Sequence, residues 1–563
     1  MKKIIPILLV TIVLAALIAG GCAEPAPAPT PTPTPAPTPT PTPEPELPPL
    51  ESVPEKPAPS PAPSPGVQPK FGGILKIAWP STETGLFGVP WLIRGQSRHP
   101  ANLALERVVQ RSETDPRGYE GVLAKSYELA PDKSYYDFNL RQGVKFHDGT
   151  DLNAQAVKWN WDHLLAIKDI RGLFAKVDSF EVIDDYTLRA NLLDWDALVL
   201  DDFRHEAAYI MSPTAYEQHG EEWCKTHPVG TGPFTLKAYE PMRRHAFERN
   251  PDYWNQPYPY LDGMEYIAVP DAMTRVLAFK GEEFDVLLEV PMNLARDLKD
   301  EGYKQQVYAP GGTYSIEFGN MIEPESPFYD VRVREALEYA LDKEKIALST
   351  GLGFSRPMYE ILRGANDIAD TGATPRKYDP DKARQLLAEA GYADGFKVSF
   401  KCLDKFYGDH FVAAQAYLGE VGIEMDIDVL AGPAHTEIRF ALGDPYQLRS
   451  DRTRGQPSII GVLYYGTSDF ASSSINYPGA SRPAGYDDLL DQAKKELDPV
   501  KQAELIGQME KLMYDHVFLV PILNVPDLEF VTEDLLFDPS VRENAWWQRG
   551  DRQIHWEIMW LDR

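Results

Sequence analysis

From Glu24 to Lys70 the chain is dominated by proline alternating with alanine, threonine and serine. Each proline lacks an N–H and fixes φ, so such a run can form neither helix nor ladder, and polyproline II is its expected state. The segment 23–70 is therefore predicted to be a disordered stalk, and every packed core must come after it. At ~3.1 Å per residue the stalk reaches at most roughly 140 Å. A spacer is the first reading of this composition, and a docking site for proline motifs is the second.

Ahead of the stalk, Lys2 and Lys3 precede an apolar run from Ile4 to Ile18, and Ala19, Gly20 and Gly21 lead into Cys22. That is the charged, apolar and small-residue layout of a secretory signal over 1–22. Cysteine directly after small residues resembles a bacterial lipobox, which implies acylation of Cys22; Ala19 stands where that pattern usually has leucine. The alternative is an uncleaved anchor helix, and both readings place the rest of the chain outside the cytoplasm.

The remaining length is enough for more than one core, since the 563 residues are 43% hydrophobic. Lys and Arg total 56 against 84 Asp and Glu, a net charge of −28. So acidic a chain repels phosphate backbones, which argues against nucleic acid as a partner. Cys22, Cys224 and Cys402 are the only cysteines and form no CxxC pair. No zinc or redox ligand set follows from them. Cys224 and Cys402 are left as either a disulfide or two buried thiols.

Beyond Lys70 two periodicities alternate. Ile423, Met425, Ile427 and Val429 interleave with Glu424, Asp426 and Asp428, the period of a half-buried strand, and Tyr136, Phe138 and Leu140 repeat it. Asp330 is placed to cap a helix with Val333, Ala336, Leu337, Ala340 and Leu341 inward. Asp379-Pro380 opens another with Ala383, Leu386, Leu387 and Ala390 inward and Gly391 at its end, and Asp498-Pro499 a third with Leu505, Met509, Leu512 and Met513. The fold class is mixed α/β.

Several local motifs then stand in a recognisable order. They are Gly72 to Ile77, Leu123 to Glu128, Leu140 to Thr150 with Leu152-Asn153-Ala154, Pro228 to Phe234, Arg249 to Trp254, Pro259 to Gly263, Val333 to Leu337, and Tyr378 through Tyr392. In this order they resemble the large bacterial solute-binding proteins of the peptide, nickel and oligosaccharide class, extracellular solute-binding family 5. The likeness runs from about Phe71 to about Ile522. By themselves the motifs read as scaffold: Asp148-Gly149 as a turn, and Gly230-Thr231-Gly232-Pro233 as a turn whose glycines allow positive φ.

The resemblance implies a two-lobed periplasmic-binding-protein-like fold with a hinge and an extra domain in the first lobe. Lobe I is expected from 71–112, 228–311 and 521–563, the extra domain from 113–227, and lobe II from 312–520. It also implies a substrate-binding component of an ABC importer, which closes over a small solute and delivers it to permease subunits. An oligopeptide is the first choice of ligand. An oligosaccharide is second, favoured by 28 Tyr and 11 Trp, and a nickel chelate third. Peptide-binding members carry an aspartate after an aromatic residue that pairs with the ligand amine. Tyr464-Tyr465-Gly466-Thr467-Ser468-Asp469 is similar, with one extra residue and no tryptophan. Asp469 is thus a candidate amine partner or a turn residue, and Tyr464 and Tyr465 are candidate walls. Trp79 and Trp91 are read either as the opposite wall or as core. A monomer without cofactor or metal, held at the membrane by lipid on Cys22, completes the expectation. The rival class, a stalk-tethered hydrolase, finds no GxSxG or HExxH in the sequence. No catalytic residue is assigned.

Overall fold

The computed structural model describes residues 68–80, 85–93, 97–111, 119–167, 173–307, 312–360, 374–439, 444–454, 479–537, 547–548 and 553–563. Two large sheets organise them. The first has seven strands, and the opening strand Ile74–Trp79 lies at its centre. Gly263–Ala268 and Val286–Leu287 flank it in parallel, Arg244–Arg249 and Phe234–Glu240 extend one side, and Leu528–Val531 with Gln305–Val307 extend the other. The second sheet has six strands, in the order Arg356–Pro357, Leu519–Val525, Gly312–Phe318, Gln447–Arg454, Phe396–Leu403 and Ile423–Leu430.

Each sheet has its own core. Ile316, Phe318, Val333, Leu337, Leu387, Phe400, Phe411 and Ile522 pack on the second. Leu75, Ile77, Phe247 and Met264 pack on the first, and that core continues into Phe138, Phe180 and Leu188 of a separate four-stranded sheet and Trp161 of the helix Ala154–Ala166. The four-stranded sheet, from Ala124–Leu129, Tyr135–Leu140, Val177–Asp184 and Thr187–Leu192, lies within the stretch expected to be the extra domain. Leu198 carries this region onto the other half of the molecule: it packs with Tyr486, Leu490, Ile506, Met509 and Met513. Beside it the Ala197 N–H donates to Lys494 O at 2.7 Å.

The chain passes between the large sheets in two places that lie side by side. Gln305–Val307 leads into Gly312–Phe318, and Leu519–Val525 leads into Leu528–Val531. The two partners are antiparallel in both sheets, Gln305 opposite Phe530 in one and Gly312 opposite Val525 in the other. The second passage lies at Pro526-Asp527, a few residues beyond the expected division at 521, because Leu519–Val525 is buried throughout and completes the six-stranded sheet.

The capped helices form where their sequence signals stand. Asp330, Asp379 and Asp498 each accept from N–H groups in the first turn of Val331–Ala340, Pro380–Glu389 and Pro499–His516. The third helix is rotated slightly from the expected stripe: Ile506, Met509 and Met513 face inward, while Leu505 and Leu512 are half-buried. Ile423–Leu430 buries Ile423 and Met425 and exposes Glu424 and Asp426. Cys224 and Cys402 are both buried and unbonded. Burial pushes each thiol up to about 11.

Candidate functional site

Two charged centres stand out, one buried and one half-buried, and the first is scaffold. Glu106 is 6% exposed and follows the helix Arg98–Ala104. Its carboxylate accepts from Thr231 Oγ1 at 2.7 Å, Tyr253 Oη at 2.9 Å and Trp254 Nε1 at 2.9 Å. Burial raises its pKa to about 7, against the hydrogen bonds from Trp254, Thr231 and Tyr253. Asn250 Nδ2 donates to Gly232 O at 3.0 Å, and the His147 ring contacts the same carbonyl at 2.9 Å. Three of the sequence motifs are thereby fastened to one another. Burial pushes the His147 imidazole down to about 4, so it is neutral at pH 7.

The turn chemistry differs from expectation at one place. Gly149 adopts φ +82, as the Asp148-Gly149 turn requires, whereas Gly230 and Gly232 are not in the left-handed region. They are glycine because backbone is too close: an added Cβ would lie 2.1 Å from Ala104 O at Gly230 and 2.6 Å from Leu103 O at Gly232. The motif presses against the end of the helix that starts at Arg98.

The second centre lies where the chain passes between the sheets. In open α/β sheets, ligands bind beyond the carboxyl ends of parallel strands. In the first sheet those ends are Trp79, Ala268 and Leu287, the last followed by Glu289 with φ +51. In the second sheet Gln447–Arg454 runs parallel to Phe396–Leu403 and carries Arg452 near its end. Arg452 Nη2 donates to Asp527 Oδ1 at 2.9 Å, with Asp527 in the passage itself, and its guanidinium lies over the Tyr314 ring. Burial pulls the Arg452 pKa down, but Tyr314, Asp527 and Glu289 outweigh it and leave it above its ordinary value. From the first half of the fold comes Arg98, whose side chain is 15% exposed. Burial lowers its pKa against the opposing pull of Glu206, Tyr209, Glu289 and Asp527. Glu289 and Asp527 favour the charged form of both arginines.

The residues singled out from sequence fare differently. Tyr464, Tyr465 and Asp469 lie outside the described residues, as does Cys22. Tyr464, Tyr465 and Asp469 fall within 455–478, which follows the strand bearing Arg452 in sequence. Trp79 and Trp91 are 2% and 5% exposed and belong to one core. Trp79 meets His99, His245 and Tyr266 edge-on, and Trp91 stacks on His163 and packs against Trp159 and Tyr216. Of the two readings offered for them, the described packing is that of core. Sequence reasoning missed Glu106, Arg98, Arg452 and Asp527. Arg449, Asp451 and Arg452 are charges within the strand Gln447–Arg454, where Arg449 pairs on both sides and Arg452 pairs with Tyr314. Among the described residues, no group of three His, Cys, Asp or Glu is placed to hold a metal ion.

Comparison with known proteins agrees with this architecture. A family profile described as bacterial extracellular solute-binding proteins, family 5 Middle, matches residues 118–498. The glutathione-binding protein GsiB of Pectobacterium atrosepticum is 32% identical over 324 residues, 56% of this chain and 62% of that protein. GsiB of Shigella flexneri is 28% identical over 453 residues, 78% of this chain and 85% of that protein. The fold matches NikA from Brucella suis, solved with Fe(III)-EDTA, at a TM-score of 0.75 and 21% identity, covering 87% of this chain and all 100% of NikA. It also matches DppA from Helicobacter pylori, solved with the peptide STSA, at a TM-score of 0.69 and 21% identity, covering 88% and 99%. These likenesses establish the two-lobed periplasmic-binding-protein fold.

Proposed function

Because the chain belongs to the bacterial extracellular solute-binding proteins of family 5, we propose that it captures a short peptide between its lobes and hands it to an ABC permease. Proteins of this family are extracytoplasmic substrate-binding components of ABC importers. The observation that carries the reading is the double passage between two sheets whose parallel strands end beside it. Closure about that passage removes water from a site made of both lobes, where each polar contact to a ligand strengthens. No bond need be made or broken.

Peptide is preferred because the GsiB relatives bind glutathione by name and DppA was solved with a tetrapeptide. Lobe I is assigned to 71–112, 228–311 and the C-terminal segment, the extra domain to 113–227, and lobe II to the chain from 312 up to the second passage. Asp469, Tyr464 and Tyr465 remain proposed ligand contacts. Lipid on Cys22 and the stalk 23–70 would tether a monomer to the membrane.

Thermal denaturation of the full chain against peptide, oligosaccharide and nickel-chelate libraries tests this. A ligand at a hundred times its Kd adds about 2.7 kcal/mol of stability. Peptides are expected to raise the Tm. Xylo- or cello-oligomers that succeed where peptides fail would replace peptide with sugar, and turnover of any bound molecule would end the binding-protein reading.

A further inference from the structure

The stretch from Trp195 to Val199 is anchored in one half of the molecule and docked on the other. Trp195 and Val199 belong to the core that joins the seven-stranded and four-stranded sheets, so the residues between them move with that half. Leu198, however, packs among Tyr486, Leu490, Ile506, Met509 and Met513. These lie on the helices Tyr486–Lys495 and Pro499–His516, packed on one another. Both helices go with the six-stranded sheet: the carbonyls of His516 and Val517 accept from Arg334 of Val331–Ala340, whose inner face belongs to that sheet's core. The turn that presents Leu198 is fixed from its own side. Asp196 Oδ1 accepts from the Leu198 N–H at 3.0 Å, and Asp196 Oδ2 pairs with Lys176 Nζ at 2.9 Å.

The docking also completes a helix end. The last carbonyls of a helix have no partner within it. In Tyr486–Lys495, Gln502 Nε2 donates to Ala493 O at 3.1 Å from the same half. Lys494 O instead accepts from the Ala197 N–H at 2.7 Å, and Lys133 Nζ reaches Lys495 O at 3.5 Å. Lys133 also lies 4.1 Å over the Trp195 ring, so the first half brings a positive charge to the negative end of that helix.

The contact has leverage. Its cluster includes Phe518 and Leu519, at the start of the strand Leu519–Val525, whereas the passage between the sheets follows Val525. At about 3.3 Å per residue, the strand puts roughly 20 Å between them. A swing of about 15° through such an arm displaces the contact by about 5 Å, which parts an N–H···O bond. We infer that the extra domain is a closure latch: Leu198 enters its socket and Ala197 caps the helix only when the lobes shut. The latch biases the empty protein toward the closed form, and opening uncovers the socket. Losing a buried leucine shifts a two-state ratio by roughly 10- to 100-fold. The inference rests on closure of the two lobes, whichever cargo they hold, so failure of the peptide reading leaves it standing.

Pulsed electron–electron double resonance on the full chain without ligand tests the latch. Nitroxides are placed on Leu277→Cys in the first half and Val412→Cys in the second, both exposed positions, and the chain without these two changes is the blank. The labelled parent is expected to give one short distance. Leu198→Asp should populate a second distance longer by at least about 5 Å, and Leu198→Ala should populate it in a smaller fraction. Lys133→Met, which removes the charge from the helix end, should shift the population less again. A contact that only holds the scaffold would lower the Tm of these variants and leave the distance alone. Equal distance distributions in the parent and in Leu198→Ala overturn the inference, whether or not Leu198→Asp folds. A longer distance already dominant in the parent overturns it as well.

Discussion

Glu106 is a buried charge and Arg98 a half-buried one, and the fold treats them in opposite ways. Glu106 receives three hydrogen bonds from Thr231, Tyr253 and Trp254, so its lone pairs are engaged and its motifs are locked together. Arg98 receives long-range charge compensation from Glu206, Glu289 and Asp527 and no hydrogen bond among the described residues. Both lie in a low-dielectric setting where an unmade bond costs more than in water. A saturated buried charge of this kind holds a scaffold.

Breaking the saturated centre should produce the largest effect. Glu106→Ala strands two buried donors and a half-buried one and should cost about 3–5 kcal/mol, read as a loss of denaturation midpoint. A midpoint unchanged within error would erase the distinction between the two centres.

The next effect is a pH dependence. Folded Glu106 titrates at about 7 against an ordinary 4.5, so between these values the folded state holds the extra proton. Stability therefore falls as pH rises from 4.5 to 7, by at most about 3 kcal/mol from this group. Glu106→Gln should flatten that slope. His147 runs the other way: its folded value of about 4 lies below 6.5, so its contribution is lost as pH falls through that window. Profiles of the wild type, Glu106→Gln and His147→Gln separate the slopes, and an unaltered profile in Glu106→Gln would remove the assignment.

An ordinary helix cap supplies the yardstick for both. Asp498→Ala frees the N–H groups of Val500 and Lys501 and should cost about 1 kcal/mol. Glu106→Ala must clearly exceed it if the staple is more than a cap. The smallest effect is chemical. Cys224 and Cys402 are buried with raised pKa values and should resist alkylation in the native chain at pH 8. After denaturation, two reactive thiols are expected if Cys22 is acylated, and a third would refute the lipid anchor.

Much of the scaffold was legible because its signals are local. Asp-Pro pairs open helices and alternating Ile and Asp mark a strand, and both depend only on residues a few positions apart. Trp79 and Trp91 could not be placed that way, since an aromatic residue after a strand reads equally as wall or core until its neighbours are known. The glycines at 230 and 232 read as turn formers, and their actual constraint, the backbone of Leu103 and Ala104, is distant in sequence. Arg98, Arg452 and Asp527 stayed hidden for the same reason. Each is unremarkable alone, and Arg452 and Asp527 meet only because the sheet topology brings their segments together.

That border has a mechanical consequence. Because the two passages pair as neighbours on either side, the ladders from Gln305 to Phe530 and from Gly312 to Val525 hold the two crossings together in both sheets. Two parallel straps allow a swing about one axis and resist sliding, so the halves should behave like a book on its spine. Asp527 sits on that spine with Arg452 in its grasp, which ties the angle of opening to the orientation of the arginine.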